Sequence, residues 1–469
     1  MQKVKFLALL KKLTHQELEV FHKYLKRYHP REKIALQVFE YLIKFYPNFE
    51  PKEKLQLEYA YQKIFKTDFD TDDYAQKKML NTVADLYKWL KHFLIVSKTE
   101  QDPKLQQAIW LNILLDRGLK GEFSRKATAF YQQTQSSAFT TPADALPNWM
   151  ASYFYRECLT WDKPLIHANI IEQCTETMAS CWEILRLKMA CEMSLVKKVT
   201  DHAPVQQTVQ PTDFKQIGQS ILRNVYEALL QLIDSGDGLH FASLESLLIQ
   251  HGQEIETQEL RWIIRCAYSF TSHQSRHNED VIQYERMHRL NKIGLTHGVF
   301  LQDSQLPSSA FGNFVTVACL SKDFEWAAGF IRDYNHIVIE TDRPKAILLA
   351  QAIVAFETEN FRAALQLLEP LRFEALLDII RSKFLLLRSY YELRADDDTI
   401  LNTCASFESL LRRSPKTEVV RAMLPFVLIL KRLVVRKSSK RLILDCIEKA
   451  PMLYSKKWLL AKTVHYKTR

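Results

Sequence analysis

Glycine is scarce in this chain. Ten glycines occur in 469 residues, roughly 2 per cent where proteins average about 7 per cent. Glycine lets the backbone take positive φ or pass close to a phosphate group. The sequence has no G-x-G-x-x-G, G-x-x-x-x-G-K-[ST] or G-x-S-x-G motif, so we expect neither a known nucleotide-binding loop nor a known serine-hydrolase elbow. Gly236 and Gly238 lie between two helical patterns, which predicts a turn.

Long apolar runs are also missing. No window of about 18 apolar residues occurs, which is the length that a membrane-spanning helix needs. The densest run, from Met423 to Leu430, is followed at once by two basic residues. Near the start, Phe6 to Leu10 is shorter than the apolar core of a secretory signal. We therefore expect a cytoplasmic protein without a membrane span.

Clustered cysteines are absent as well. The eight cysteines include no C-x-x-C pair, whereas a disulfide framework or a thiolate zinc site requires closer spacing. We expect buried free thiols in a reducing compartment. The acidic run Asp396 to Asp398 suits the start of a helix and needs no metal to explain it. No pattern in the chain predicts catalytic residues, metal ligands or a cofactor, so we do not expect an enzyme.

Charge is distributed unevenly around a net value of +10. Residues 1–98 contain 19 basic and 12 acidic side chains, residues 99–411 contain 29 and 39, and residues 412–469 contain 16 and 3. Two basic ends therefore flank an acidic middle. Two interpretations stay open: the ends bind a polyanion such as nucleic acid or an anionic membrane surface, or they fold against the acidic middle or stay solvated.

Helical periodicity is clear in the first hundred residues. Thr14 and Glu17 have the spacing of a capping box, and apolar residues follow at three-to-four spacing. We predict a helix from near His15 that ends before Pro30. Further helices are predicted at about 31–46, 51–65 and 72–96.

The same pattern continues to the end of the chain, with breaks that predict its organisation. A polar stretch at 132–142 predicts an exposed loop, and residues 200–212, with two prolines and several glutamines, predict a hinge. Helices are predicted at about 213–233, 239–251, 256–271 and 279–292. Five segments result: an N-terminal helical unit at 1–98, a helical middle at 99–205, helical hairpins at 206–305, repeats at 306–413 and basic helices at 414–469.

The last third contains an internal repeat. In two places a helix pattern ends, a short polar turn follows, and an aromatic residue precedes an alanine by three positions. These pairs are Phe324 with Ala327 and Phe361 with Ala364, and the two aromatic residues are 37 positions apart. We predict that the aromatic ring fills the crevice between paired helices while the alanine lets their backbones approach.

On these residues, the region 308–413 resembles tetratricopeptide-like (TPR-like) helical repeats. A third stretch, 382–413, has similar helix lengths without the aromatic and alanine landmarks. The unit is longer than the usual 34 residues, and Val315 and Ala352 stand where the family has a first-helix glycine. The family's asparagine and lysine clamp for a peptide carboxylate has no match, so no binding residue is transferred. The resemblance implies an all-α fold of antiparallel helix pairs stacked as a solenoid behind the N-terminal helical unit.

More broadly, the order of a helical N-terminal unit, a long middle and a repeat-like end is similar to that of bacterial all-helical proteins without a characterised activity. This similarity concerns the fold alone.

A basic cluster near the end of the chain is the main candidate for a binding surface. It is interleaved with tyrosine and tryptophan, so its cations could contact phosphates while its rings stack on bases. The alternative is that the same stretches are ordinary helices with an apolar face and a basic solvent face. The cluster consists of Lys431, Arg432, Arg436, Lys437, Lys440 and Arg441.

Taken together, these features predict a non-catalytic interaction scaffold that presents an extended helical groove to a protein partner. The alternative is a nucleic-acid-associated or ribosome-associated factor that binds through its basic ends.

Overall fold

The computed structural model describes residues 5–47, 49–50, 52–65, 73–135, 145–160, 168–199, 220–278, 280–301, 305–464 and 466. Within these ranges twenty-two α-helices form and no strand does, which confirms the all-α class. Two short 3₁₀ helices, Lys52–Leu55 and Asn335–Ile337, complete the regular structure. The α-helices are α1 Lys5–Leu10, α2 His15–Tyr28, α3 Lys33–Ile43, α4 Leu57–Phe65, α5 Asp73–Glu100, α6 Pro103–Asp116, α7 Lys120–Gln135, α8 Ala145–Thr160, α9 Ala168–Val199, α10 Ile221–Ser235, α11 Gly238–His251, α12 Thr257–Asn278, α13 Val281–Thr296, α14 Ser308–Leu320, α15 Phe324–Tyr334, α16 Arg343–Glu357, α17 Phe361–Leu368, α18 Leu376–Glu392, α19 Asp397–Arg413, α20 Glu418–Val435, α21 Lys440–Lys449 and α22 Lys456–Val464.

The chain divides into two compact units. The first comprises Met1–Thr134 with Tyr153–Pro164, and the second comprises Gln135–Ser152 with Leu165–Arg469. The finer division into five segments stays a prediction. The predicted hinge at 200–212 and most of the predicted loop at 132–142 lie outside the described residues.

In the first unit, helices α1, α2, α3 and α4 each pack against the long helix α5. Their apolar stripes bury Phe6, Phe21, Phe39 and Leu86 completely. The predicted capping box is confirmed: the backbone N–H of Thr14 donates to Glu17 Oε2 at 2.7 Å, and the N–H of Glu17 donates to Thr14 Oγ1 at 3.2 Å. Helix α2 begins and ends where the sequence predicts.

In the second unit, most helices pack against the next helix or the next but one in sequence. Three apolar clusters result, one within α9 to α13, one within α14 to α18 and one within α18 to α22. Each amphipathic helix therefore finds a partner nearby in the chain, as expected for helix pairs joined by short turns.

The turns inside the predicted repeat share one backbone geometry. Lys322 and Glu359 both adopt positive φ, 67° and 64°. The next residue caps the following helix: Asp323 accepts a hydrogen bond from the backbone of Trp326, and Asn360 accepts one from Ala363, both at 3.2 Å. The polar turn that the sequence repeats is thus a left-handed residue followed by a helix cap.

A related turn that is one residue longer follows α18, since Ala395 separates the left-handed Arg394 from the capping Asp396. Arg394 has φ 54°, and Asp396 accepts a hydrogen bond from the backbone N–H of Thr399 at 2.8 Å. The acidic run at 396–398 is therefore a helix start, as predicted. Since the turn depends on backbone conformation and a capping side chain, it recurs without the aromatic and alanine landmarks.

The four predicted repeat-packing residues lie in the apolar cluster of α14 to α18. Ala327 and Ala364 are fully buried, at 0% exposure, whereas Phe324 and Phe361 are half-buried. A larger side chain at either alanine would collide with the neighbouring helix.

Arg388 of α18 connects this region to the last helices of the second unit. Its guanidinium lies over the rings of Phe356 at 4.2 Å, Phe384 at 5.1 Å and Trp458 at 5.4 Å, and its Nη1 is 3.5 Å from Glu357 Oε1. Cation–π contacts of a largely desolvated guanidinium are among the stronger ones. Arg388 therefore joins α16, α18 and α22.

Replacing Ala327 with leucine is expected to lower the free energy of unfolding of the second unit by about 1–3 kcal/mol, because the added carbons overpack the helix pair. Ala328 is adjacent but exposed, so the matched variant Ala328→Leu should stay within about 0.5 kcal/mol of the parent. Urea unfolding followed by circular dichroism measures both. Equal destabilisation by the two substitutions would contradict the packing role of Ala327.

Candidate functional site

The six predicted basic residues surround the corner between α20 and α21. Arg436 ends α20 with φ 56°, and the side chain of Ser439 accepts a hydrogen bond from the backbone of Leu442 at 3.2 Å to start α21. The corner is therefore fixed by a left-handed residue and a helix cap. Lys431 and Arg432 precede it, and Lys440 and Arg441 follow it.

Three of the six cations bind within the chain. Lys431 Nζ donates to Glu408 Oε2 at 2.7 Å, Lys440 Nζ donates to the carbonyl of Val464 at 2.9 Å, and Arg432 Nη1 lies 2.8 Å from Cys446 Sγ. Hydrogen bonds from Lys431 and Arg412 hold the pKa of Glu408 below its usual value.

Lys462 forms a similar bond at 2.7 Å to Glu392. Glu392 and Glu408 both belong to the acidic middle, so part of the basic end folds against it, as one of the two charge interpretations expected.

The other three cations face solvent. Arg436, Lys437 and Arg441 are exposed, and their side chains make no hydrogen bond or ion pair with any residue that the structure describes. A smaller positive surface than the sequence predicted therefore remains at this corner.

A second group of polar residues, which sequence reasoning missed, lies among α12, α13, α14 and α18. We call it the Arg381 cluster. Its members come from five places in the second unit and are linked by hydrogen bonds and electrostatic interactions that involve Arg381, Asp378 and Tyr268. They are Tyr268, Asn291, Ser308, Asn313, Asp378, Arg381 and Tyr454.

Asp378 and Arg381 lie one turn apart on α18. Asp378 is only 1% exposed, and it accepts hydrogen bonds from Ser308 Oγ at 2.8 Å and from Arg381 Nη1 at 3.3 Å. The same Nη1 is 3.4 Å from the carbonyl of Ser309. Burial lowers the pKa of Arg381, although the charge of Asp378 acts in the opposite direction. The guanidinium is thus only partly compensated for its lost hydration.

Gly312 on α14 makes room for this guanidinium. A Cβ at that position would lie 2.6 Å from Arg381 Nη1, closer than real side chains pack. With a larger residue at this position the guanidinium would have to shift, so the glycine accommodates the side chain of Arg381 and does not serve a positive φ.

Tyr268 contributes a hydroxyl to the cluster. Asn313 Nδ2 donates to this hydroxyl at 2.8 Å. Burial raises the pKa of Tyr268 to about 12, against the opposing effects of Asn313 and Arg381. The hydroxyl therefore stays protonated at neutral pH and keeps a proton to donate.

Tyr454 completes the cluster from the segment between α21 and α22. Its backbone N–H donates to the carbonyl of Ala422 in α20 at 3.3 Å. The neighbouring carbonyl of Arg421 lacks its usual helical donor, because Pro425, four residues later, has no N–H. The Tyr454 ring packs edge-on against Phe384, with centroids 5.7 Å apart.

Sequence reasoning had one usable signal for the Arg381 cluster. An acidic and a basic residue three apart inside the apolar stripe of a helix, as at Asp378 and Arg381, indicate a buried ion pair. The contributions of Tyr268, Asn291 and Tyr454 depend on tertiary packing and left no local pattern.

A buried carboxylate elsewhere in the second unit is fully occupied. Glu259 accepts hydrogen bonds from Lys188 Nζ at 2.7 and 2.8 Å and from the Tyr226 hydroxyl at 2.6 Å. Burial also raises the pKa of the neighbouring thiols Cys191 and Cys266 to about 12. A satisfied carboxylate and protonated thiols support a structural role for this group.

His288 forms another polar contact, between α13 and the start of α15. Its Nε2 is 3.1 Å from Asp323 Oδ2, and Lys292 Nζ is 2.9 Å from the same oxygen. The Nδ1 atom of His288 is buried without a hydrogen-bond partner. Burial lowers the pKa of His288, against the opposing effect of Asp323, because protonation would create a buried N–H with no acceptor and a cation near Lys292.

The described parts of the chain contain neither a candidate metal-binding group nor a candidate membrane-spanning helix. No three His, Cys, Asp or Glu side chains there come together in a way that could hold a metal ion. None of the helices described combines the length and apolarity needed to cross a bilayer.

Comparison with known proteins adds no identification: the chain matches no protein-family model, and no match was found among curated proteins or solved structures. Any functional conclusion therefore depends on the geometry described above.

The lowered pKa of His288 predicts a pH-dependent stability. The unfolded chain protonates this histidine below about pH 6.5, whereas the folded chain does so only at lower pH. The free energy of unfolding of the second unit should therefore decrease as pH falls below about 6.5.

In the variant His288→Gln this part of the decrease should be lost, and the matched variant of an exposed histidine, His336→Gln, should keep it. Urea midpoints at about pH 7.5 and about pH 5.5 measure the difference. The same decrease in His288→Gln as in the parent would show that another group causes it.

Proposed function

We propose that this protein is a non-catalytic interaction scaffold whose second unit binds a protein partner. The observation that carries the proposal is the turn that recurs at Lys322, Glu359 and Arg394. It makes α14, α16 and α18 the equivalent first helices of three successive helix pairs. In this proposal the pairs stack as a TPR-like solenoid, in which the first helices line one common surface.

Contacts between the first helices support this arrangement. Helix α14 packs against α16, and Arg381 of α18 reaches Ser309 of α14. An open groove of about 480 Å³ also lies between α15 and α16. Its lining is largely apolar and includes Ile331, Gln351 and Val354. Apolar grooves between helices are common sites for a partner's helix or extended segment.

Capture from an extract of the source cells tests the scaffold proposal. The immobilised full chain should retain a protein partner in stoichiometric amount. The variant Gln351→Trp fills the groove and should retain less of it, while Gln366→Trp, at an exposed position of α17, should bind like the parent. If no bait retains a stoichiometric protein and the chain instead converts a metabolite, the proposal fails.

A second candidate function is binding of nucleic acid, alone or on the ribosome. It is favoured by the exposed side chains of Arg436, Lys437 and Arg441 at the corner of α20 and α21. Such a surface would contact phosphates, and its binding would weaken steeply between low and physiological salt.

Replacing Arg436, Lys437 and Arg441 together by glutamate should abolish binding to a labelled oligonucleotide measured by fluorescence anisotropy. In the three single substitutions, each lost phosphate contact should reduce the salt slope by about 1. A control with the same change of charge replaces the exposed residues Arg117, Arg125 and Lys126 of the first unit and should bind like the parent. Unchanged binding after the first substitution would exclude this corner as a nucleic-acid site.

A further inference from the structure

We propose that the Arg381 cluster is a binding site for a carboxylate group of the protein partner. That this carboxylate belongs to a protein partner rests on the proposed scaffold function, whereas the binding site itself rests on the geometry of the cluster.

Arg381 has hydrogen-bond donors that its contacts with the described residues do not use. Both of its hydrogen bonds, to Asp378 and to the carbonyl of Ser309, leave from Nη1. The Nε and Nη2 atoms donate to no residue in the described part of the chain. The side chain is 20% exposed, so part of it reaches the surface.

Two neighbouring groups also offer protons. The Tyr268 hydroxyl accepts from Asn313 and donates to no described residue. Asn291 is only 1% exposed, and its side-chain nitrogen is buried without a hydrogen bond of normal geometry, although it lies near enough to the Tyr268 hydroxyl to lower that group's pKa. A buried donor without an acceptor costs about 1–3 kcal/mol, and a ligand acceptor would remove that cost.

The balance of donors and acceptors defines the ligand's chemistry. The carboxylate of Asp378 is occupied by Ser308 and Arg381. Arg381 Nε and Nη2, the Tyr268 hydroxyl and Asn291 Nδ2 are donors that remain, so this part of the cluster is complementary to an oxyanion. A planar carboxylate can accept two parallel hydrogen bonds from the Nε and Nη2 edge of a guanidinium.

Charge favours a carboxylate over a phosphate ester. The cluster contains one cation, Arg381, which already faces the anion Asp378. A phosphate monoester carries about two negative charges at neutral pH, and both would lie near Asp378. A carboxylate adds only one negative charge, and this charge would further offset the lost hydration of the buried guanidinium.

Tyr454 forms an exposed edge of the cluster. This residue is 45% exposed and interacts electrostatically with both Tyr268 and Arg381. An acidic side chain or a chain terminus of the partner can therefore enter at this edge.

Thermal unfolding of the full chain tests the site. Sodium acetate and, separately, sodium phosphate are titrated at constant ionic strength kept with sodium chloride. Acetate should raise the unfolding midpoint in a saturable way, because it binds the folded state only. Phosphate should raise it less.

Two variants with one control make the test specific. R381Q/D378N replaces the ion pair by neutral amides, so the variant buries no uncompensated charge. This variant should abolish the acetate effect. Tyr268→Phe keeps the ring and should weaken acetate binding by about tenfold through the loss of one hydrogen bond to a charged group. Arg421→Gln removes an exposed cation of α20 and should respond like the parent.

The results separate this inference from the scaffold proposal. No effect of acetate on the parent, an equal effect on R381Q/D378N, or a larger effect of phosphate would each overturn the carboxylate site, even if the parent still captures a protein partner. An acetate effect lost in R381Q/D378N supports the site, even if capture returns no partner.

Discussion

The second unit depends on one constraint: an α-helix buries only one stripe of its surface and therefore needs a neighbour. The chain supplies that neighbour through short turns at Lys322, Glu359 and Arg394. These turns place charged residues, and not glycine, in the left-handed region, at a cost of roughly 1–2 kcal/mol each. The capping side chains that follow them offset part of that cost. Among the described residues, left-handed backbone is thus not confined to glycine.

Buried polar groups connect helices that are distant in the sequence. Glu259 joins α9, α10 and α12 through fully satisfied hydrogen bonds. His288 and Arg381, in contrast, each leave at least one nitrogen without an acceptor among the described residues. Satisfied groups of this kind stabilise a packing arrangement, while unsatisfied ones mark places where protonation or a ligand changes the energy.

Local features were predictable from the sequence and long-range features were not. The capping box at Thr14, the start of α19 at 396–398 and the bounds of α2 follow from interactions within one turn of helix. The sequence indicated a third repeat stretch at 382–413 from its helix lengths alone, because the aromatic and alanine landmarks are absent there. The basic cluster was predicted as one surface, but Lys431 and Lys440 bind within the chain, to partners that only the tertiary fold brings near. The Arg381 cluster was missed for the same reason.

The side chain of Arg388 contacts residues that are far apart in the sequence. Its guanidinium lies over both the ring of Phe356 in α16 and the ring of Trp458 in α22. A change at any one of these three positions alters the surroundings of the other two. In a set of diverged relatives, the residue types at positions 356, 388 and 458 should therefore change together. Covariation among these positions would then indicate the contact from sequences alone.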